Sequence, residues 1–293
     1  GGGVHVTNAA TATIVNNVVR GNYAGRGAGI SVLGQAALIQ GNTIENNVAV
    51  GDHGGGMYIG VVDARVTQNI IRGNEVGRNL GYGWGGGLIV FNSGNSAELS
   101  FNEVYENFAA AYGAGEFIDE GAEADIHHEL IYRNVSKDGC EAVSAISVDG
   151  GDGVGSRATI SHCTVVGNVC ETAIRGNGLQ VEGQSEVSVT NSIFWNNGGD
   201  DFAIDNTSTL SVTYTCSQES FAGTGNIPAE PLFIDEAADD YHLAAGSPCI
   251  DAGDPASPFD NEPAPNGGRA DMGRYGNATD APPPDGSNDN ASN

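Results

Sequence analysis

One phrase recurs along the chain: small glycine-rich opening, apolar stretch, second apolar stretch, closing asparagine. It reads "GGGVHVTNAATATIVNNVVRGN" at 1–22, "GAGISVLGQAALIQGNTIENN" at 27–47 and "GGGMYIGVVDARVTQNIIRGN" at 54–74. It returns as "GGGLIVFNSGNSAELSFNEVYEN" at 85–107 and "GAGEFIDEGAEADIHHELIYRN" at 113–134. Weaker copies run through 143–168 and 176–197, and a degenerate one through 202–216. Starts at 1, 27, 54, 85, 113, 143 and 176 give a period of 26 to 33 residues. A repeat of that length belongs to a solenoid, a propeller or an array.

The period inside a repeat chooses among them. Aligned on a central asparagine (Asn17, Asn42, Asn69, Asn102, Asn191), the copies carry Ile14, Ile39, Val66, Leu99, Ile126 and Ile160 three positions earlier. Five positions earlier stand Ala12, Ala37, Ala64, Ala97, Ala124 and Ala158. Two positions later come Val19, Ile44, Ile71, Val104, Ile131, Val165 and Ile193. Five positions later stands asparagine each time: Asn22, Asn47, Asn74, Asn107, Asn134, Asn168 and Asn196. Apolar residues spaced by two, with no sustained helical period, predict short strands facing a core. Three short strands per repeat, turning the same way each time, predict an all-β parallel coil of about seven to eight rungs stacked about 4.8 Å apart. Equivalent residues then form columns, and stacked asparagines can hydrogen-bond along theirs. No rung can bury its apolar face alone; its neighbours bury it.

These repeats resemble the right-handed parallel β-helix proteins with pectate-lyase-like repeats, and the expected handedness comes from that resemblance. The stretch "VTYTCSQESFAGTGNIPAEPLFIDEAADDYHLAAGSPCIDAGDP", followed by "NGGRADMGRYGN", is similar to the closing segment of bacterial secreted β-helix proteins of the choice-of-anchor type. That second resemblance implies a bacterial, exported protein, extracellular or at the cell surface. The expected organisation is repeats over 1–216, a capping segment over 217–276 and a Pro/Asn/Asp-rich tail over 277–293. Gly1 opens a rung outright, with Val4 and Val6 toward the core, so the expectation is a missing N-terminal cap or end-to-end docking of copies as a homo-oligomer.

The 293 residues carry a formal charge of −26, and Lys137 is the one lysine. Such a chain is a poor partner for nucleic acid or anionic membrane, and no apolar span suggests a membrane crossing. Cations suit it better. Of five cysteines, Cys140 and Cys170 precede consecutive rungs and are expected to pair; Cys216 and Cys249 form a second candidate pair in the closing segment. Cys163 takes an asparagine column and is expected as a buried thiol.

Outward positions of the first strand form the candidate ligand face. Tyr58, Ile89, Phe91 and Phe117 make an apolar, aromatic strip suited to sugar rings or a protein. Asp119, Asp149 and Glu182 make an acidic strip, a candidate site for Ca²⁺, because stacked like charges repel and hard oxygens suit that ion. Glu116 stands where other copies have Ile30, Met57, Leu88, Ile146 and Leu179; Glu129 replaces the central asparagine. The surrounding repeat also holds His127, His128, Arg133 and Lys137. The H-E-x-x-H zinc pattern fails, because position 132 is Tyr132. Lyases of this fold need a basic residue to remove a proton next to a uronate carboxyl. Glu116, Lys137, His127 and Arg133 are the candidates here, without matching a lyase motif. Two functions follow as expectations: a surface scaffold contacting extracellular polysaccharide or another surface protein, or a Ca²⁺-dependent polysaccharide lyase.

Overall fold

The structure, a computed structural model, describes residues 2–137, 145–151, 153–170, 178–264 and 266–279. Each repeat makes one rung. The first three rungs begin with long strands: β1 (Val4–Val15), β4 (Ile30–Gln40) and β7 (Met57–Thr67). From the fourth rung on, this strand divides at a turn into two limbs, as in β10 (Leu88–Phe91) with β11 (Ser96–Ser100) and β14 (Glu116–Asp119) with β15 (Glu123–His127). The division continues in β18 (Ile146–Val148) with β19 (Arg157–Ser161), β22 (Leu179–Val181) with β23 (Glu186–Thr190), and β25 (Phe202–Ile204) with β26 (Thr209–Thr213). All belong to one 13-stranded sheet; an 8-stranded and a 6-stranded sheet close the other sides. Every pairing among them is parallel, and each residue meets its counterpart one rung on, as Leu88 meets Met57 and Glu116. The expected all-β parallel coil is therefore the observed one.

Two internal columns of asparagine hold the corners. In the second, each Nδ2 donates to the next Oδ1: Asn47 to Asn74 at 2.9 Å, Asn74 to Asn107 at 3.0 Å, Asn107 to Asn134 at 3.0 Å. The other amide hydrogen goes back one rung to a carbonyl, Asn74 to Ile44 O at 2.9 Å. The backbone N–H of Asn47 also donates to Asn74 Oδ1, at 3.1 Å. Each buried amide is thus saturated, which a buried polar group requires. The seventh rung corrects the alignment by one residue. Ser192, not Asn191, fills the first column and accepts from Cys163 N at 3.2 Å; Asn197, not Asn196, fills the second and accepts from Asn168 Nδ2 at 2.9 Å. Asn191 and Asn196 take the left-handed corner positions (φ 50° and 54°). Phe194, rather than Ile193, consequently pairs with Val165 in the core column. Strand parity leaves no choice, because a slip of one would turn Val187 and Val189 outward.

The glycine openings have a steric cause. Gly54 sits at φ +66°, and a side chain on Gly56 would strike the Gly87 carbonyl of the next rung. Only glycine lets the rungs approach so closely there.

The chain after the last rung has two parts. Glu219 Oε1 accepts from the N–H groups of Asp201 (2.7 Å) and Phe202 (3.1 Å), and Phe221 packs on Phe202, so this piece covers the final cross-section. The remainder, starting with the antiparallel pair β28 (Phe233–Asp235) and β29 (Asp240–Leu243), turns back along the flank of the 8-stranded sheet. Tyr241 packs with Leu130, Tyr132 and Val166. Gly273 N donates to Asn191 O (2.8 Å), the Gly276 carbonyl meets His128 Nε2 (3.0 Å) and Arg274 Nη1 donates to Asn102 O (3.0 Å). The segment is a strap as well as a lid.

Replacing Asn74 by alanine orphans several buried donors and acceptors, at about 1–3 kcal/mol for each. The Asn74→Ala variant should therefore lose about 3 kcal/mol or more in urea unfolding. Asn22→Ala, at the half-buried start of the same column, should lose about 1 kcal/mol.

Candidate functional site

The aromatic strip expected on the first limb is not an open face. Tyr58, Ile89 and Phe117 are buried, and together with Leu33, Trp84, Phe91 and Tyr112 they form a separate small core outside the coil. The reason is local: the segments carrying His53, Trp84 and Tyr112 fold over the strand instead of standing clear of it. His53 pairs with Trp84 in an isolated bridge, which pins one such segment to the next. What remains exposed at its margin is Tyr82, 48% accessible, beside Trp84 at a ring distance of 5.8 Å.

Within this nest lies a charged relay that the sequence pattern did not single out. Arg26 grips Asp52 with two bonds, Nε to Oδ1 at 2.6 Å and Nη2 to Oδ2 at 2.8 Å. Chiefly that grip holds the Asp52 carboxyl well below the usual carboxylate range. His53 Nδ1 lies 2.9 Å from Asp52 Oδ1, ion-pair distance, but without the alignment of a good hydrogen bond. The His53 ring contacts Phe91 (4.8 Å) and Trp84 (5.1 Å). The missed signal is the pair of rung-entry positions 26 and 52, one repeat apart, occupied by opposite charges.

The acidic strip is real as a column. Asp119, Asp149 and Glu182 follow one another at the ends of β14, β18 and β22, and Asp205 comes next after β25. Burial, followed by the charges of Asp149 and Glu120, pushes Asp119 up to about 7; burial and the charge of Glu182 push Asp149 up to about 6. Among the described residues, no three Asp, Glu, His or Cys side chains converge as a metal-ligating set, at this column or at the histidines.

The four candidate catalytic residues are not brought together. Glu116 has no exposed surface and points into the coil. Arg133 binds the strap, at 2.7 Å from Asp239 Oδ1 and 3.0 Å from Glu236 O. Lys137 follows β17 (Val135–Ser136) in the 6-stranded sheet. His127 lies at the end of β15, 3.6 Å from Glu98 and 3.0 Å from the His128 ring nitrogen. His128 in turn stacks between Phe101 (4.7 Å) and His162 (5.0 Å) on a corner column. Burial, with His128 and His127 beside it, pushes His162 down to about 3, so it stays neutral under the strap.

The second limb, by contrast, is open. A shallow trough of about 680 Å³ follows the coil axis over β11, β15, β19, β23 and β26. Its side chains stand in ranks: Glu98, Asp125, Thr159, Ser188 and Ser211 in one, Ser96, Glu123, Arg157, Glu186 and Thr209 in the other. Arg157 reaches both Glu123 (3.7 Å) and Glu186 (3.5 Å), and Thr159 Oγ1 donates to Asp125 at 2.6 Å.

Cys216 and Cys249 are buried in one cluster as free thiols, without the expected bond between them. Contact with Cys216, then burial, pushes the Cys249 thiol well up. The pairing expected of Cys140 with Cys170 lies outside the described residues. Cys163 is a buried free thiol, as its column implied, with Sγ 3.6 Å from Ile126 O.

Residues 2–213 match the family model described as a right-handed beta helix region. The chain belongs to that family, and the handedness follows. No curated protein and no solved structure matches it. Among the described residues, no helix is long and apolar enough to cross a membrane.

Asp119 titrates higher in the folded chain than in the unfolded one, so its contribution is full at acid pH and lost as pH rises through about 7. Asp119→Asn should therefore stabilise the protein on the alkaline side of that value more than on the acid side. Thermal melts at both pH values would show the difference.

Proposed function

We propose that the protein is an exported bacterial surface scaffold that binds an extended glycan along the second limb. The observation that carries this reading is the trough, with polar side chains repeating at every rung from β11 to β26. A polymer of sugars laid along the axis presents hydroxyls at a similar repeat, and Ser, Thr, carboxylate and Arg groups are their usual partners. The trough is flat and open rather than a pocket, which suits a polymer better than a small molecule. Export and surface location rest on the resemblance of the closing segment. A protein partner on the same face is the other occupant to test.

Titration calorimetry against neutral, amino-sugar and uronate polysaccharides tests the proposal. Arg157→Ala combined with Thr159→Val should weaken the bound class about tenfold, roughly 1.4 kcal/mol, without altering the melt. No binding to any glycan, or binding indifferent to that double change, would discard it.

One observation favours a second reading, cleavage of the glycan. The Arg26–Asp52–His53 relay has the residue types of an oriented acid–base unit beside an aromatic margin. The uronate-lyase version also requires a cation at Asp119, Asp149 and Glu182, since those acids would repel a uronate. Incubation with uronate polymers, with calcium and with chelator, would expose an unsaturated product; His53→Asn should abolish it and leave binding intact.

Export would also expose Cys216 and Cys249 to oxidants. A disulfide between them would staple the strap to β27 (Cys216–Ser217), and peptide mapping after treatment with oxidised glutathione would reveal it.

A further inference from the structure

Two carboxyl groups lie inside the coil itself. Glu116 occupies the inward column of Leu88 and Ile146, and Glu129 the asparagine column between Asn102 and Cys163. Neither has any exposed surface. Glu129 Oε1 accepts from Asn102 Nδ2 at 2.5 Å. Oε2 of Glu129 and both oxygens of Glu116 have no well-aligned partner, and the two carboxyls lie against each other.

The surroundings offer little to offset two negative charges. Leu88, Ile118 and Ile146 are the apolar neighbours on the first limb, and the Cys163 thiol lies one rung on. Among the described residues, Arg274 of the strap is the cation that acts on Glu129. Its guanidinium is spent on Asn102 O at 3.0 Å and Glu103 at 3.6 Å. Among the described residues, no cation acts on Glu116. Carboxylates buried against each other without a cation are far costlier than carboxylic acids in the same place.

The column supplies a positive reason for a proton as well. Each ladder asparagine gives a hydrogen back to a carbonyl one rung earlier, Asn69 to Ile39 and Asn102 to Val66. A carboxylate has no such hydrogen; a carboxylic acid has one.

We propose that Glu116 and Glu129 form a proton-holding pair that makes the fifth rung a pH-operated joint, closed while the pair keeps its protons and opened when alkali removes them. Both groups titrate above their usual range, Glu116 through burial and the charge of Glu129, and Glu129 through burial. A raised folded value means the stabilisation is full below the unfolded value, near about 4.3, and is lost as pH climbs through the folded one. Each proton held only by the folded state makes the opening constant grow about tenfold per pH unit.

Asp119, Asp149, Asp201 and Asp271 are raised as well, to about 7, 6, 7 and 7, so a global melt alone does not isolate the pair. Hydrogen exchange resolved along the chain does. Between about pH 6 and about pH 9, corrected for intrinsic exchange, β15 and β16 (Leu130–Tyr132), which exclude Asp119 at the end of β14, should lose at least about tenfold protection in the native protein. In the Glu116→Gln, Glu129→Gln double variant that loss should vanish. The infrared carbonyl stretch of protonated carboxyls at neutral pH should weaken with it, the remainder belonging to Asp119, Asp201 and Asp271. If the double variant does not fold, Glu129→Asn, which restores the ladder residue, carries the same comparison. Equal alkaline loss in native and variant chains, or an unchanged carboxyl band, overturns the proposal.

Discussion

The coil depends on register. Each rung is too thin to hold a core, so its apolar side chains gain burial only when the same side chains of the next rung lie directly above them. The two asparagine columns enforce that alignment, because an amide one residue out of place would leave its donors and its neighbour's acceptor unsatisfied in the interior. Hydrophobic burial supplies the larger energy, but the amides make the alignment specific. The glycines at the entries of the first five rungs, the parity of the strands and the left-handed corners all serve the same requirement.

That requirement explains which parts of the structure were legible from residues alone. Columns of Ala12 to Ala158 and Ile14 to Ile160 gave the strands, their direction and the core, because repetition averages out local ambiguity. The seventh rung misled where Asn191 and Ser192 stand side by side and either can fill a corner; only the count from Val187 and Val189 separates them. Burial of Tyr58, Ile89 and Phe117 was not legible, since it is made by irregular segments that obey no column. For the same reason Asp52 and His53 passed unnoticed while the regularly placed Asp119, Asp149 and Glu182 stood out. The Glu116 and Glu129 anomalies were visible as departures from a column, but not that they meet.

Charge is organised by depth. The formal charge of −26 over the whole chain is balanced locally at the surface where basic residues occur, as Arg157 between Glu123 and Glu186, or Arg72 on Glu45 at 2.7 Å. Deeper carboxyls such as Asp201 and Asp271, each pushed up to about 7 mainly by burial, answer desolvation with protons instead. The same residue type thus acts as an ion outside and as a neutral hydrogen-bonding group inside, and depth decides which.

The strap has a consequence for the order in which the molecule is made. Rungs join partners 22 to 37 residues apart, so each can zip onto its predecessor as the chain lengthens. The strap closes contacts 148 and 172 residues apart, from Gly276 to His128 and from Arg274 to Asn102. Contacts that distant form slowly and last. Until they do, Tyr132 and the flank beside it stand bare to solvent, and an incomplete chain carries a recognisable sticky side. Docking of the strap and concealment of that side are one event, which gives the folded coil a check written into its topology.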